Sequence, residues 1–184
     1  MADTPTFFPK SEICRTAIVT TFVSVGNATQ PFDRLIEAVL EIVPRLPQPV
    51  VIQHGNTPLR KNGRYISKPF FEMEEFSSLV KQAEILILHA GAGSVIHAIQ
   101  AGKIPVVMPR RAKYDELIDD HQFEFAHALD EVGKVSVAEE PSDIIEAVEK
   151  ALKLQNKNRI LNTEPTIVNM IDEMLREYAE GLDR

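Results

Sequence analysis

The sequence predicts a doubly wound α/β domain built on a parallel sheet, and three observations carry that prediction. β-Branched, apolar runs recur at 17–25, 49–53, 84–88 and 104–108. Each run is nearly continuous in apolar residues, as a strand buried on both faces reads. Stretches with helical apolar spacing alternate with them at βαβ distances, which places helices on both faces of a parallel sheet.

The elements follow in order. The first strand, 17–25 (AIVTTFVSV), is broken by Gly26, Asn27, Ala28 and Thr29. Pro31 then opens a helix striped by Leu35, Ile36, Val39, Leu40 and Val43, which Pro44 and Pro47 end. The second strand is 49–53 (PVVIQ), followed by the loop 54–57 and a basic, irregular stretch at 60–64. A short strand is expected at 65–68 and a short helix at 73–82. Strand 84–88 (EILIL) runs into a glycine loop, and a helix is expected at 95–101. Strand 104–108 (IPVVM) ends at Pro109. A charged loop at 110–120, a helix at 121–129, a short strand at 135–137 and a helix at 142–154 capped by Ser142 complete the pattern. Beyond a polar break at 155–158, a last amphipathic helix carries Ile167, Ile171, Met174, Leu175 and Tyr178 on one face. Residues 1–15 read as a flexible extension and 16–184 as one domain, with its C-terminal helix at 164–180.

Composition narrows the function. The chain has 184 residues, 44% of them hydrophobic, enough for one sizeable core. A net charge of −7 disfavours sequence-independent binding to nucleic acid. It leaves room for a small anion, because a few backbone N–H groups make a local positive site. Cys14 is the single cysteine, so no internal disulfide is possible, which suits a reducing cytosol. No apolar run approaches the roughly 20 residues of a membrane helix, and the first residues lack a signal-peptide layout.

In an open parallel sheet, ligands bind beyond the carboxyl ends of the strands. The candidate loops are therefore 26–29, 54–57, 89–94 and 109–122. The segment from Leu86 to Ile99 (LILHAGAGSVIHAI) is the most informative. Gly91, Ala92, Gly93 and Ser94 join a buried strand to a helix start, where free N–H groups and the helix dipole favour phosphate. Ser94 is expected either to cap that helix or to donate to a phosphate oxygen. A plain strand-to-helix turn is the bland alternative. The loop has no Lys at Walker A spacing, and Ile96 stands where a dinucleotide fingerprint needs glycine, so an ATPase and a nicotinamide-linked dehydrogenase are both disfavoured.

The second cluster is Pro109 to Gln122 (PRRAKYDELIDDHQ). Arg110, Arg111 and Lys113 are candidates for phosphate contact, and Glu116, Asp119 and Asp120 for sugar hydroxyls. His121 and Gln122 start the next helix. A solvated loop of self-pairing charges is the alternative for each of these residues. The histidines are not at metal-ligand spacing, and no Asp-x-Asp occurs, so no metal and no organic cofactor is expected.

These motifs, in this order, resemble a known family. His89 to Ser94, then Gly102-Lys103-Ile104-Pro105, Pro109-Arg110-Arg111 and Asp120-His121-Gln122 look like the C-terminal domain of family 28 glycosyltransferases. Val23 to Gly26 and Phe32-Asp33-Arg34-Leu35 fit as well, so that the resemblance covers 16–154. It implies one half of a GT-B enzyme: a Rossmann-like domain that holds a UDP-sugar without a metal, while another domain holds a lipid-linked acceptor. Single-domain members resemble the soluble subunits of two-chain transferases, either bacterial capsular or exopolysaccharide enzymes or the eukaryotic dolichol-linked N-acetylglucosaminyltransferase. Tyr114-Asp115-Glu116 with Asp119 to Gln122 is closer to the bacterial kind.

Carried over, the resemblance gives Gly91, Ala92, Gly93 and Ser94, with His89 before them, a place at the diphosphate. Gly26 and Asn27 face it from the first loop, and Glu116, His121 and Gln122 lie near the donor sugar or the phosphates. Apart from the resemblance, Arg110 or Arg111 is expected to help the helix N-terminus stabilise the departing UDP. The family has a ribose-binding Glu five residues before the glycine matching Gly102, where this chain has His97. A neutral imidazole accepts one hydrogen bond and cannot take both hydroxyls.

The expected activity is inverting transfer of a hexosyl or N-acetylhexosaminyl group from a UDP-sugar. The expected partner is a membrane-anchored acceptor-domain subunit that holds the chain at a cytoplasmic membrane face, and no catalytic base is assigned. The alternative is a non-catalytic binding or regulatory subunit with weakened nucleotide binding. A sugar-nucleotide epimerase relative is a weaker reading, since that enzyme carries two domains in one chain.

Overall fold

A computed structural model describes residues 20–59 and 63–161, with side chains to 157. The extension expected at 1–15, the helix expected at 164–180 and Cys14 lie outside these residues.

Among the described residues, six parallel strands form one sheet in the order β3-β2-β1-β4-β5-β6. They are β1 (Thr21–Ser24), β2 (Val50–Gln53), β3 (Ile66–Lys68), β4 (Ile85–His89), β5 (Val106–Met108) and β6 (Ser136–Val137). The helices are α1 (Asp33–Ile42), α2 (Met73–Gln82), α3 (Ala92–Gln100), α4 (His121–Glu131) and α5 (Ile144–Leu161). Strand side chains alternate between two cores, as the two-residue period of a strand dictates. Val23, Ile52, Ile87, Val106 and Met108 pack against α1 and α5. Phe22, Val51, Leu86, Leu88 and Val107 pack against α2, α3 and α4. The sheet is thus covered on both faces, and every described strand lies where the sequence predicted one, β4 running one residue further than expected, to His89.

Three expected boundaries move, each for a physical reason. Helix α3 begins at Ala92 with Gly91 as its N-cap, so Ser94 lies inside the first turn and does not cap it. The cap before α5 is Glu140, not Ser142: its carboxylate and that of Asp143 reciprocally accept backbone N–H groups around the turn Pro141–Asp143. The polar stretch at 155–158 does not break α5. Gln155 is buried, where its amide accepts from the Ile104 N–H at 3.2 Å and donates to the Glu84 carbonyl at 3.3 Å. A polar side chain that satisfies two backbone groups belongs in the core.

The strand order reverses between β1 and β4. There the connections leave toward opposite faces and open a crevice at the carboxyl edge, the general ligand position of such sheets. The loops after β1 and β4 flank it.

Candidate functional site

The crevice is built from glycines packed on an imidazole. Gly26, just beyond β1, has φ +77°, a conformation in which glycine alone is unstrained. Its N–H donates to the Ser24 hydroxyl at 3.2 Å. A Cβ placed on Gly26 falls 2.4 Å from ring atoms of His89, and one placed on Gly91 falls 2.1 Å from His89 Nε2. The His89 ring therefore fills the gap between the two loops, and both glycines are required by its close approach.

Burial, first, and then the nearby Arg110 charge push the His89 pKa down to about 4, and the Ser24 backbone only partly offsets this. The ring is neutral at pH 7. Its Nδ1 is shut off from solvent and lacks a well-aligned partner.

Beyond the imidazole, α3 opens onto free space. The Val95 N–H is bonded back to the Gly91 carbonyl at 3.1 Å. The N–H groups of Ala92, Gly93 and Ser94 precede that first bond and so have no partner within the helix. Ala92 and Gly93 are exposed, and a Cβ on Gly93 meets nothing within 4 Å. N–H groups left free at the positive end of a helix dipole suit an anion without any side-chain charge.

The other expected residues are placed as follows. Asn27 is exposed beside Gly26, its Oδ1 accepting from Gln53 Nε2 at 3.2 Å. His97 turns toward α2: its ring is 3.1 Å from the Ser77 hydroxyl and 6.0 Å from the Phe76 ring. His121 is exposed and held by Asp119. Gln122 is buried, its Oε1 accepting from the Arg110 N–H at 3.2 Å.

Arg110 does not reach into the crevice as expected. Its side chain is fully buried, donating to the carbonyls of Val25 (3.0 Å), Gln30 (3.1 Å), Pro31 (3.2 Å) and Glu116 (3.3 Å). Glu116 is equally engaged and does not face a sugar. Its carboxylate takes both Nε and Nη2 of Arg34, at 3.1 and 2.9 Å, and the Arg111 N–H at 3.0 Å. Arg111 lies over the Phe123 ring at 4.0 Å and pairs with Asp120. The Ala112 N–H and then Arg111 hold the Asp120 carboxyl below its usual range. Lys113 reaches Glu140.

Sequence reasoning missed Arg34 as a site-building residue; its signal was a cation at the start of an otherwise apolar helix stripe. Among the described residues, no group of three or more His, Cys, Asp or Glu side chains could hold a metal ion, and no helix is long and apolar enough to cross a membrane.

A parallel sheet with this strand order, a glycine-lined switch point and a bare helix N-terminus define a Rossmann-like half-domain of GT-B type. The chain belongs to the glycosyltransferase family 28 C-terminal domain, whose model matches residues 20–173. It is similar to the UDP-N-acetylglucosamine transferase subunit ALG13 of Yarrowia lipolytica, 34% identical over 119 residues, which are 58% of this chain and 58% of that protein. The ALG13 subunit of Cryptococcus neoformans is 37% identical over 125 residues, 67% of this chain and 57% of its own length. The chain thus spans somewhat under six-tenths of these relatives. These relatives are named as N-acetylglucosamine transferase subunits, whereas Tyr114-Asp115-Glu116 with Asp119 to Gln122 read as closer to the bacterial capsular or exopolysaccharide kind.

Among solved structures, the calicheamicin glycosyltransferase CalG4 matches with TM-score 0.56 and 22% identity, over 77% of this chain and 37% of that one. The solution structure of ALG13 matches with TM-score 0.52 and 20% identity, over 73% and 86%. These likenesses establish the fold.

Proposed function

We propose that this chain is the donor-binding subunit of an inverting glycosyltransferase. It takes the diphosphate of a UDP-sugar on the N–H groups of Ala92, Gly93 and Ser94. The observation that supports this most is the conjunction of those free N–H groups with open space at Gly93, at the switch point and beside a neutral His89. The names of the matched relatives support N-acetylglucosamine as the sugar.

The chemistry follows from charge. As the sugar departs, negative charge grows on UDP, and preorganised N–H dipoles stabilise it without reorganising. The neutral His89 ring at the crevice floor adds no charge of its own. Gly26 and Asn27 face the phosphates from the opposite loop, and His121 is the polar group exposed near the donor sugar. No metal enters the scheme. The acceptor, a lipid-linked sugar, and the base that deprotonates it belong to a membrane-anchored partner subunit, which holds this chain at the cytoplasmic face of the membrane.

Calorimetric titration of the full chain tests the reading. UDP or UDP-N-acetylglucosamine binding at up to millimolar concentration is expected, and no heat at that concentration refutes it.

One observation favours a second reading, a non-catalytic subunit with weakened nucleotide affinity: the His97 ring is already engaged with Ser77, at the position where the family has a ribose-binding carboxylate. His97→Glu discriminates. A large gain in UDP affinity favours the weakened subunit, and tight binding by the unmutated chain excludes it.

A further inference from the structure

The buried charges behind the crevice form one connected unit. Arg110 donates to carbonyls at both ends of the loop after β1, Val25 at one end and Gln30 and Pro31 at the other. It also donates to the Glu116 carbonyl, across the loop after β5. Arg34, at the start of α1, donates to the Glu116 carboxylate, to the Pro109 carbonyl at 2.7 Å and to the Glu139 carbonyl at 2.5 Å. The same carboxylate accepts the Arg111 N–H. Phe32 lies under both guanidinium groups, 4.5 Å from Arg110 and 5.5 Å from Arg34, and Tyr114 covers Arg34 at 4.9 Å.

Strand β4 lies between β1 and β5. The unit therefore spans from one side of the glycine loop to the other and ties the two flanking loops together.

Its charges do not cancel. The Glu116 carboxylate, on a residue 5% exposed, is taken by Arg34 and the Arg111 N–H, while the fully buried Arg110 guanidinium donates to backbone carbonyls, which carry no net charge. The more exposed Glu140, 4.0 Å from Arg34, is shared with Lys113. One positive charge is left over, and it is felt in the crevice, where Arg110 disfavours the protonated form of His89. Buried ion pairs are weak contributors to stability, because desolvation offsets their attraction. A net buried cation is costlier still, and an anion bound nearby is what offsets it.

We propose that Arg34, Glu116 and Arg110 are positioning residues for the diphosphate site: they fix the separation of the loops after β1 and β5 and hold an uncompensated positive charge behind the glycine loop. They touch no ligand themselves. The proposal rests on the donor-binding reading above and adds the device that sets its geometry and charge.

The test compares UDP with uridine on the full chain by calorimetry, for the unmutated protein, Arg34→Lys, Glu116→Gln and the double variant. Lys keeps the charge but loses the fork that grips the carboxylate and the carbonyls. Each single variant is expected to weaken UDP about tenfold or more while leaving uridine within about twofold, and the double variant to be little worse than either single, as for residues acting as one unit. Equal losses for UDP and uridine, or unchanged UDP affinity in folded variants, overturn the proposal. An unmutated chain that binds neither ligand overturns the donor-binding reading and this one together.

Should the variants fail to fold, hydrogen exchange on the unmutated chain decides. Saturating UDP is expected to slow exchange of the Arg111 N–H and the Arg34 Nε–H, both bonded to Glu116, by about a hundredfold at 100 Kd. Unchanged rates contradict the proposal.

Discussion

Replacing Gly93 by alanine should move stability and ligand affinity in opposite directions. Gly93 is the second residue of α3, and its backbone is not in the left-handed region, so alanine fits it. The added Cβ meets no protein atom within 4 Å. Alanine is better than glycine in a helix interior by about 0.8–1 kcal/mol, and the first turn realises roughly half of this. The free chain should therefore melt about 1–2 °C higher. A helical Cβ tilts toward the N-terminus, so the new methyl enters the space in front of the free N–H groups. Losing one hydrogen bond to a charged phosphate costs about 1.5–3 kcal/mol, which is about ten- to a hundredfold in Kd. Thermal melting with calorimetric titration of UDP measures both effects. A variant that melts higher and binds UDP with unchanged affinity refutes the assignment of the diphosphate to this turn.

Other perturbations have defined outcomes. His89 is held near pKa 4 in the fold, below its ordinary 6.5, so the unfolded chain takes the proton first. The corresponding stability is complete above about pH 6.5, is lost as pH falls toward 4, and amounts to on the order of 3 kcal/mol. Denaturant melts of the unmutated chain and of His89→Gln should diverge over that window, and parallel curves would show that His89 is not buried neutral. Gly26→Ala forces alanine to φ +77° and places a methyl 2.4 Å from the His89 ring. A loss of about 2–3 kcal/mol is expected from strain and clash, and His89→Ala in the same chain should restore part of it in chemical denaturation. Phe22 lies on the central strand with Phe76 and Phe71 edge-on at 5.4 and 6.0 Å. Phe22→Ala should cost about 3–5 kcal/mol in the same assay.

The fold was legible because its central strands are buried on both faces. Runs such as Glu84 to Leu88 leave little choice of structure. Boundaries were less legible where small or polar residues serve the backbone. The turn from Ala92 to Ser94 carries no apolar stripe, so nothing in the local pattern marks the start of α3 at Ala92. Gln155 reads as a polar break until its backbone partners, brought together only by the fold, are known.

Within the site, the glycine loop was legible because strand, glycines and helix are contiguous. The charged loop was legible only as a cluster. Which of its charges turn inward depends on Arg34, which meets Glu116 across 82 residues of sequence. No local pattern records such a pairing, so Arg110 and Glu116 read as ligand contacts when their side chains are occupied within the protein.

The most direct measurement is a UDP titration of the uniformly labelled chain followed by amide NMR. The account predicts that the N–H resonances of Ala92, Gly93 and Ser94 shift furthest and downfield, with Gly26 and Asn27 responding across the crevice. Saturating shifts confined to another surface, or no shift at millimolar UDP, would contradict it.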